Sequence, residues 1–300
     1  MTTGQPPVGF IGLGQIGGPM ARRLSDWPGG LTVYDVVPEA TERFARKGAT
    51  VASSPAALAE HALVISVMVR DDAQVHDVMC GPDGILSTAR AGTVVVIHST
   101  VEADTPARLA EIATAQRVHV VDAPVSGGAI GAHDGTLALM VGGSDEAVAL
   151  ARGPLERLGT LVAHLGPVGA GTRAKLARNL ITFASFAAVG EASRLAEAAG
   201  VDLALLGEVV RHSDRITGGP GSVMLRPTAA PLSPDDGLHD IFVHTCGLGE
   251  KDLGLAIDLG ESLGLDMAVA HLAVERLASA LGIEHPPSVS DRDPDPEVDR

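Results

Sequence analysis

The chain has 300 residues, enough for two domains that each bury a core, and only 2% of them are aromatic, so its interior must be close-packed aliphatic side chains on helices and strands. A formal charge of −15 without a compensating basic cluster argues against nucleic acid or an anionic membrane face as partner, and requires any anionic substrate to be met by locally placed donors. Two cysteines, Cys80 and Cys246, and the lack of a charged, apolar, small-residue leader point to a reducing cytoplasm, and no apolar run reaches the roughly 20 residues of a membrane span.

Short β-rich apolar runs recur through the first half, at 8–13, 31–34, 63–67, 94–97, 118–121, 137–141 and 161–164. Between most of them lie stretches of helical spacing, at 19–24, 38–46, 73–79 and 106–113. This alternation predicts βαβ units and a mostly parallel sheet buried on both faces, an α/β architecture. The β-like runs stop at a Gly- and Pro-containing joint, 166–171. Beyond it one long helix is expected over 172–199, with Leu176, Leu180, Phe183, Ala187 and Gly190 on a common stripe and Gly200 as terminator. Asp202 can cap a helix over 203–211. The Gly- and Pro-rich segment 213–237 reads as loop, and two more helices are expected at 250–263 and 266–281. The Pro- and Asp-rich stretch 284–300 has little to bury and reads as a disordered tail. The expected divisions are therefore 1–167, 168–283 and 284–300.

Four local signals carry chemistry. An apolar strand runs into G-x-G-x-x-G at Gly12, Gly14 and Gly17, with Leu13, Gln15 and Ile16 between them. Gly12 permits the tight turn, Gly14 lets the backbone approach a pyrophosphate, and Gly17 allows close helix–strand packing with the helix N-terminus aimed at the phosphates. Asp35 ends the next strand, where its carboxylate can accept hydrogen bonds from ribose hydroxyls and repel a 2′-phosphate. Dinucleotide binding follows, with NAD expected over NADP, although Arg43, Arg46 and Lys47 lie near in sequence. Second, Asp122-Ala123-Pro124-Val125-Ser126-Gly127-Gly128 ends a strand in a turn that leaves several N–H groups unshielded; it reads equally as a carboxylate site or an ordinary loop. Third, Lys175 and Asn179 stand at i and i+4 at the start of the long helix and share a face, either solvated or lining a cleft. Fourth, Glu250-Lys251-Asp252-Leu253 opens a helix and alone reads as a surface charge run.

Together these four signals resemble the β-hydroxyacid dehydrogenase family, the group that contains 3-hydroxyisobutyrate dehydrogenase. The resemblance rests on G-F-I-G-L-G-x-x-G-x-P-M-A from Gly9, D-A-P-V-S-G-G from Asp122, G-x-x-x-K-x-x-x-N from Gly171 and K-D-L-G-L-A from Lys251, in the family's order. It implies a Rossmann-type dinucleotide-binding domain followed by an all-α domain, joined by the long interdomain helix, and NAD-dependent interconversion of a small 3-hydroxy acid and its semialdehyde. It implies Lys175 as acid/base with Asn179 as companion, and Ser126, Gly127, Gly128 and Lys251 on the substrate. It places Gly12, Leu13, Gly14, Gln15, Ile16, Gly17, Asp35, Met68, Val69, Thr100, Lys251 and Asp252 around the cofactor, involves no metal, and suggests a homodimer or homotetramer. This chain departs from the family at Ile16, at Val69-Arg70 and at Arg178, so the acyl part of the substrate is left open. His98, before Ser99-Thr100, reads as a packing or hydrogen-bonding residue.

Three other readings compete. Imine reduction would use the same two domains but generally without a lysine at position 175. A metal enzyme is suggested by His239, His244 and Cys246, whose spacing in an apparent loop matches no usual zinc pattern. A non-catalytic NAD sensor would need the glycine loop but not Lys175, Asn179 and the Ser-Gly-Gly turn together.

Overall fold

The computed structural model describes residues 4–283, so the tail expected at 284–300 lies outside the described residues. The chain forms two compact units, Met1–Asn179 and Leu180–Arg300. The first holds β1 (Val8–Ile11), α1 (Gly17–Arg22), β2 (Leu31–Tyr34), α2 (Pro38–Ala45), β3 (Thr50–Val51), α3 (Pro55–Ala59), β4 (Val64–Val67), α4 (Asp72–Cys80), β5 (Val94–Ile97), α5 (Thr105–Thr114), β6 (His119–Asp122), β7 (Val125–Ser126), α6 (Gly128–Asp134), β8 (Leu137–Gly142), α7 (Asp145–Leu158) and β9 (Gly159–Gly166). Helix α8 (Ala170–Ala198) starts in this unit and runs on into the second, followed by α9 (Leu203–Thr217), α10 (His239–Ser262) and α11 (Ala268–Leu281).

Strands β3-β2-β1-β4-β5-β6 lie side by side and parallel, in register Phe10↔Val33, Phe10↔Ser66, Ser66↔Val96 and Val96↔Val121. Strand β8 then pairs antiparallel with β6 and β7 and parallel with β9. All four residues of β1, β4 and β5 are buried, as strands covered on both faces require. Alternate residues enter opposite cores: Val94 and Val96 pack with Phe10, Val33 and Leu139, while Val95 and Ile97 pack with Ile65, Val67 and Leu109. The expected α/β unit followed by helices is the observed architecture.

Differences from the sequence expectation have local causes. Helices α3 and α7 stand where the sequence predicts none. In α3, Ser54 Oγ accepts the Ala57 N–H at 3.0 Å and Pro55 supplies a preset φ. In α7, Ser144 caps Ala147 at 3.2 Å, and the helix continues through Pro154 because Ala147, Ala151, Leu155 and Leu158 bury one face. The loop expected from 213 begins at Gly218 instead: α9 reaches Thr217, Gly218 ends it in the left-handed conformation at φ 90°, and a short 3-10 turn follows at Gly219–Val223. The helix expected to open at Glu250 starts at His239, so Lys251 and Asp252 stand about three turns inside α10. His239, His244 and Cys246, read above as loop residues, are therefore helical. Gly237, Gly247 and Gly249 look like turn signals, yet Phe242 and Cys246, one turn apart, are buried against Ala278, Leu281 and Ile283. Burial overrides propensity here.

In the second unit a second cluster, Ile257, Met267 and Ala270, is closed by Gly260, where a Cβ would lie 2.3 Å from the Met267 sulfur. Glu191, near the far end of α8, is buried and accepts the N–H groups of Val269 at 2.9 Å and Ala270 at 2.8 Å, capping α11. Helix α9 has no buried residue.

His98 is 1% exposed at the end of β5, its ring stacked on Phe10 at a centroid distance of 6.3 Å. Nδ1 meets the Ala123 carbonyl at 2.8 Å and Nε2 the Ser66 hydroxyl at 3.1 Å, so the residue is a packing and hydrogen-bonding element, as its sequence context suggests. Burial lowers its pKa to about 4, outweighing the opposing effect of the Ala123 carbonyl. Below pH 6.5 the unfolded chain takes up a proton here that the native protein refuses until about pH 4, so native stability falls with pH across that window. The expected loss is on the order of 3 kcal/mol. Urea unfolding at several pH values reads it directly. In His98→Gln, which cannot titrate, this part of the slope should vanish; an unchanged slope would show that His98 is not its source.

Candidate active site

The turn from β1 to α1 is dictated by two of its three glycines. Gly12 has φ +91°, and a Cβ on it would lie 2.1 Å from the Met68 carbonyl oxygen; one on Gly17 would lie 2.0 Å from the Gly12 carbonyl. Gly14 is different, because a Cβ there would meet nothing within 4 Å. The protein's own packing does not demand a glycine at that point, whereas close approach by a ligand does. Among the described residues the N–H groups of Gly14, Gln15 and Ile16 donate to no protein acceptor, and they lie at the opening of α1, where such groups can receive an anion. Asp35, beyond the end of β2, accepts the Leu13 N–H through Oδ2 at 2.5 Å and the Val37 N–H through Oδ1 at 2.8 Å. Its carboxylate thus ties the glycine-rich loop to the neighbouring strand, while Val36 beside it is 79% exposed.

The same carboxyl edge of the sheet holds Met68, Val69 and Thr100. The Ser99 hydroxyl donates to the Val69 carbonyl at 2.8 Å and accepts the Val69 N–H at 2.9 Å, locking the segment after β4 to the segment after β5. Thr100 follows and is exposed. The C-terminal edge of a parallel sheet is where such folds bind ligands, since the strand ends and helix N-termini converge there.

Asp122, at the end of β6, is fully buried and accepts the Gly169 N–H through Oδ1 and the Thr172 N–H through Oδ2, both at 2.6 Å. It caps the first turn of α8 against the sheet. Gly171 permits the approach, because a Cβ there would lie 2.1 Å from the Met140 carbonyl oxygen. One turn on, Lys175 is 9% exposed and its Nζ donates to the Val125 carbonyl at 2.6 Å, immediately before Ser126. Burial holds its pKa below the ordinary lysine range, and the Arg178 guanidinium adds to the effect. Asn179 is half-buried on the same face, its Oδ1 accepting from Arg178 Nη1 at 3.3 Å. Gly127 and Gly128 have φ +131° and +63°, so the Ser126-Gly127-Gly128 turn requires glycine before α6, and α6 packs on α1 beside the glycine-rich loop. The structure thus brings Lys175 together with the Ser-Gly-Gly turn. Lys251 and Asp252 belong to the second unit, where both are exposed and pair with each other at 3.0 Å.

Three supporting residues act in ways the sequence does not signal, Arg43 being named there only as a basic group that bears on NADP. Asp122 lay inside a recognised motif, but its partners are 47 and 50 residues away, beyond any local pattern. Ser99 and Arg43 likewise act on backbone groups 30 residues distant.

Comparison with known proteins follows this geometry. The family described as the NAD binding domain of 6-phosphogluconate dehydrogenase matches residues 7–166, and the one described as the NAD-binding domain of NADP-dependent 3-hydroxyisobutyrate dehydrogenase matches residues 169–286. The chain belongs to the β-hydroxyacid dehydrogenase family. Among family relatives, an uncharacterized oxidoreductase of Mycobacterium tuberculosis is 54% identical over 281 residues, 94% of this chain and 95% of that one. Human mitochondrial 3-hydroxyisobutyrate dehydrogenase is 34% identical over 283 residues, 92% of this chain and 82% of its own. The crystal structure of an oxidoreductase from Mycobacterium avium superposes with a TM-score of 0.88 at 48% identity, over 94% of this chain and all of that one. The family makes this chain a pyridine-nucleotide oxidoreductase with a Rossmann-like domain followed by a helical one. Among the described residues no helix is long and apolar enough to cross a membrane.

Proposed function

We propose that this oxidoreductase interconverts a small 3-hydroxy acid, of the 3-hydroxyisobutyrate kind, and its semialdehyde with NAD, Lys175 serving as acid/base. The observation that carries the reading is the buried Lys175 amine, held at the Val125 carbonyl beside the Ser126-Gly127-Gly128 turn. In this reading residues 1–167 form the cofactor domain and 168–283 the helical one, working in the cytoplasm. The cofactor is held by Gly12, Leu13, Gly14, Gln15, Ile16 and Gly17 at its phosphates, by Asp35 at its ribose, and by Met68, Val69 and Thr100 along its length. When bound, the nicotinamide supplies the acceptor for the hydride that leaves the alcohol carbon. Ser126, Gly127 and Gly128 hold the substrate carboxylate. Lys175, whose charged form is disfavoured by burial and by the Arg178 guanidinium, takes the hydroxyl proton as the hydride departs; in reduction its ammonium returns a proton to the carbonyl oxygen. Asn179 orients the reacting oxygen.

Lys175→Ala should lower kcat by roughly 10²–10⁴-fold with little change in NADH affinity, the usual range for losing a general acid/base. Lys175→Arg should be nearly as poor, because a guanidinium does not readily give up its proton. Steady-state kinetics with a panel of 3-hydroxy acids decides the matter: a variant keeping more than about a tenth of wild-type kcat, with chemistry rate-limiting, would remove Lys175 from the role.

The Asp35 carboxylate, beside exposed valines rather than an arginine at positions 36 and 37, supports NAD over NADP. A kcat/KM ratio of at least tenfold is expected, about 1.4 kcal/mol, and Asp35→Ala should narrow it. Measured preference for NADP would overturn this.

The helical half is read as an assembly surface for a second copy, in a homodimer or homotetramer. Phe183, Phe186, Leu205, Val209 and Ile216 are 61–74% exposed on α8 and α9, more large apolar surface than a lone helical unit keeps in water. Sedimentation at micromolar concentration should show at least a dimer; a 30.6 kDa species alone would refute it.

A further inference from the structure

Outside the groups already assigned, one contact fixes the shape of the glycine-rich loop from behind. Arg43, on α2, donates from Nη2 to the Leu13 carbonyl at 2.9 Å. The same peptide unit's neighbour in the loop, the Leu13 N–H, is held by Asp35. Leu13 is therefore gripped on both sides, by an anion at its N–H and a cation at its C=O. The guanidinium lies over the Phe44 ring at 5.1 Å, and against Gly18 in the first turn of α1, where an added Cβ would come within 2.0 Å of Nη2. Arg22 and Lys47 line the same hollow of about 240 Å³, and among the described residues none of these three cations sits in an ion pair.

A loop whose free N–H groups must converge on a phosphate pays for any freedom it keeps in the unbound state, because ordering it on binding costs conformational entropy. We infer that Arg43 is a positioning residue of the dinucleotide site, holding the Leu13 carbonyl so that the N–H groups of Gly14, Gln15 and Ile16 are aimed before the cofactor arrives. It touches neither substrate nor reacting atoms. Its effect belongs to cofactor affinity and not to the chemical step. A purely long-range attraction between a cation and the phosphates would be shared by Arg22 and Lys47, which line the hollow and, among the described residues, make no hydrogen bond to the loop.

The test is NADH binding by fluorescence titration, with turnover measured at saturating cofactor. Arg43→Met keeps the aliphatic stem over Phe44 but has no donor, and should raise the NADH Kd by about threefold or more, the scale of one net hydrogen bond, while kcat stays within about twofold. Arg43→Lys should recover part of the affinity, and Arg22→Ala and Lys47→Ala should bind as wild type. If Arg43→Met does not fold, Arg43→Leu, which likewise has no donor, should show the same loss of affinity at constant kcat. Wild-type affinity in the Arg43 variant, or an equal loss in the Arg22 and Lys47 variants, would overturn the inference. The inference rests on dinucleotide binding by the loop, and a wild-type protein that failed to bind NADH would remove that premise separately.

Discussion

The Asp122 carboxylate, buried at the end of β6 and bonded to the N–H groups of Gly169 and Thr172, is the contact on which the geometry of the site depends. The first turn of any α-helix carries N–H groups without intrahelical partners, and burying them unpaired would cost about 1–3 kcal/mol each. Asp122 satisfies two of them with one charged group, and its charge is favourably placed at the positive end of a 29-residue helix. The consequence is directional. With its first turn fixed to the sheet, α8 points Lys175 back at the Val125 carbonyl, which immediately precedes the Ser-Gly-Gly turn the lysine is read as serving.

Carboxylates do similar work at two other places. Asp35 takes two N–H groups, one of them from the glycine-rich loop, and Glu191 caps α11 from within α8. In each case an acidic side chain is used on backbone donors of an element distant in sequence, so part of the excess of 37 acidic over 22 basic residues serves as tethers inside the fold. The three tethers have different consequences. Asp35 shapes the nucleotide loop, Asp122 aims the lysine, and Glu191 holds helices of the second unit together.

Lys175 and His98 show how burial sets protonation at opposite ends of a single argument. Both are bases that burial biases towards neutrality. His98 is spent on two hydrogen bonds within the core and has no free edge to offer a ligand. Among the described residues the Lys175 side chain makes one hydrogen bond, through a group with further N–H donors, so it retains capacity for a reacting oxygen.

The alternation of the main strands with helices in the first unit, the glycine-rich turn and the shared face of Lys175 and Asn179 were legible in the sequence, because each is a local consequence of spacing, whereas α3, α6 and α7 were not. Short continuous apolar runs make strands buried on both faces, Gly12 and Gly17 are needed where backbone meets backbone, and Lys175 and Asn179 share a face because four residues make about one turn. Tertiary structure alone decided the rest. The start of α10 at His239 depends on burying Phe242 and Cys246 against α11, the continuation of α7 through Pro154 depends on its buried face, and the roles of Asp122, Ser99 and Arg43 depend on backbone groups 30 to 50 residues away. Such contacts leave no periodic trace, since a side chain that bonds a distant carbonyl or N–H looks, in the linear chain, like any other polar residue at the end of a strand.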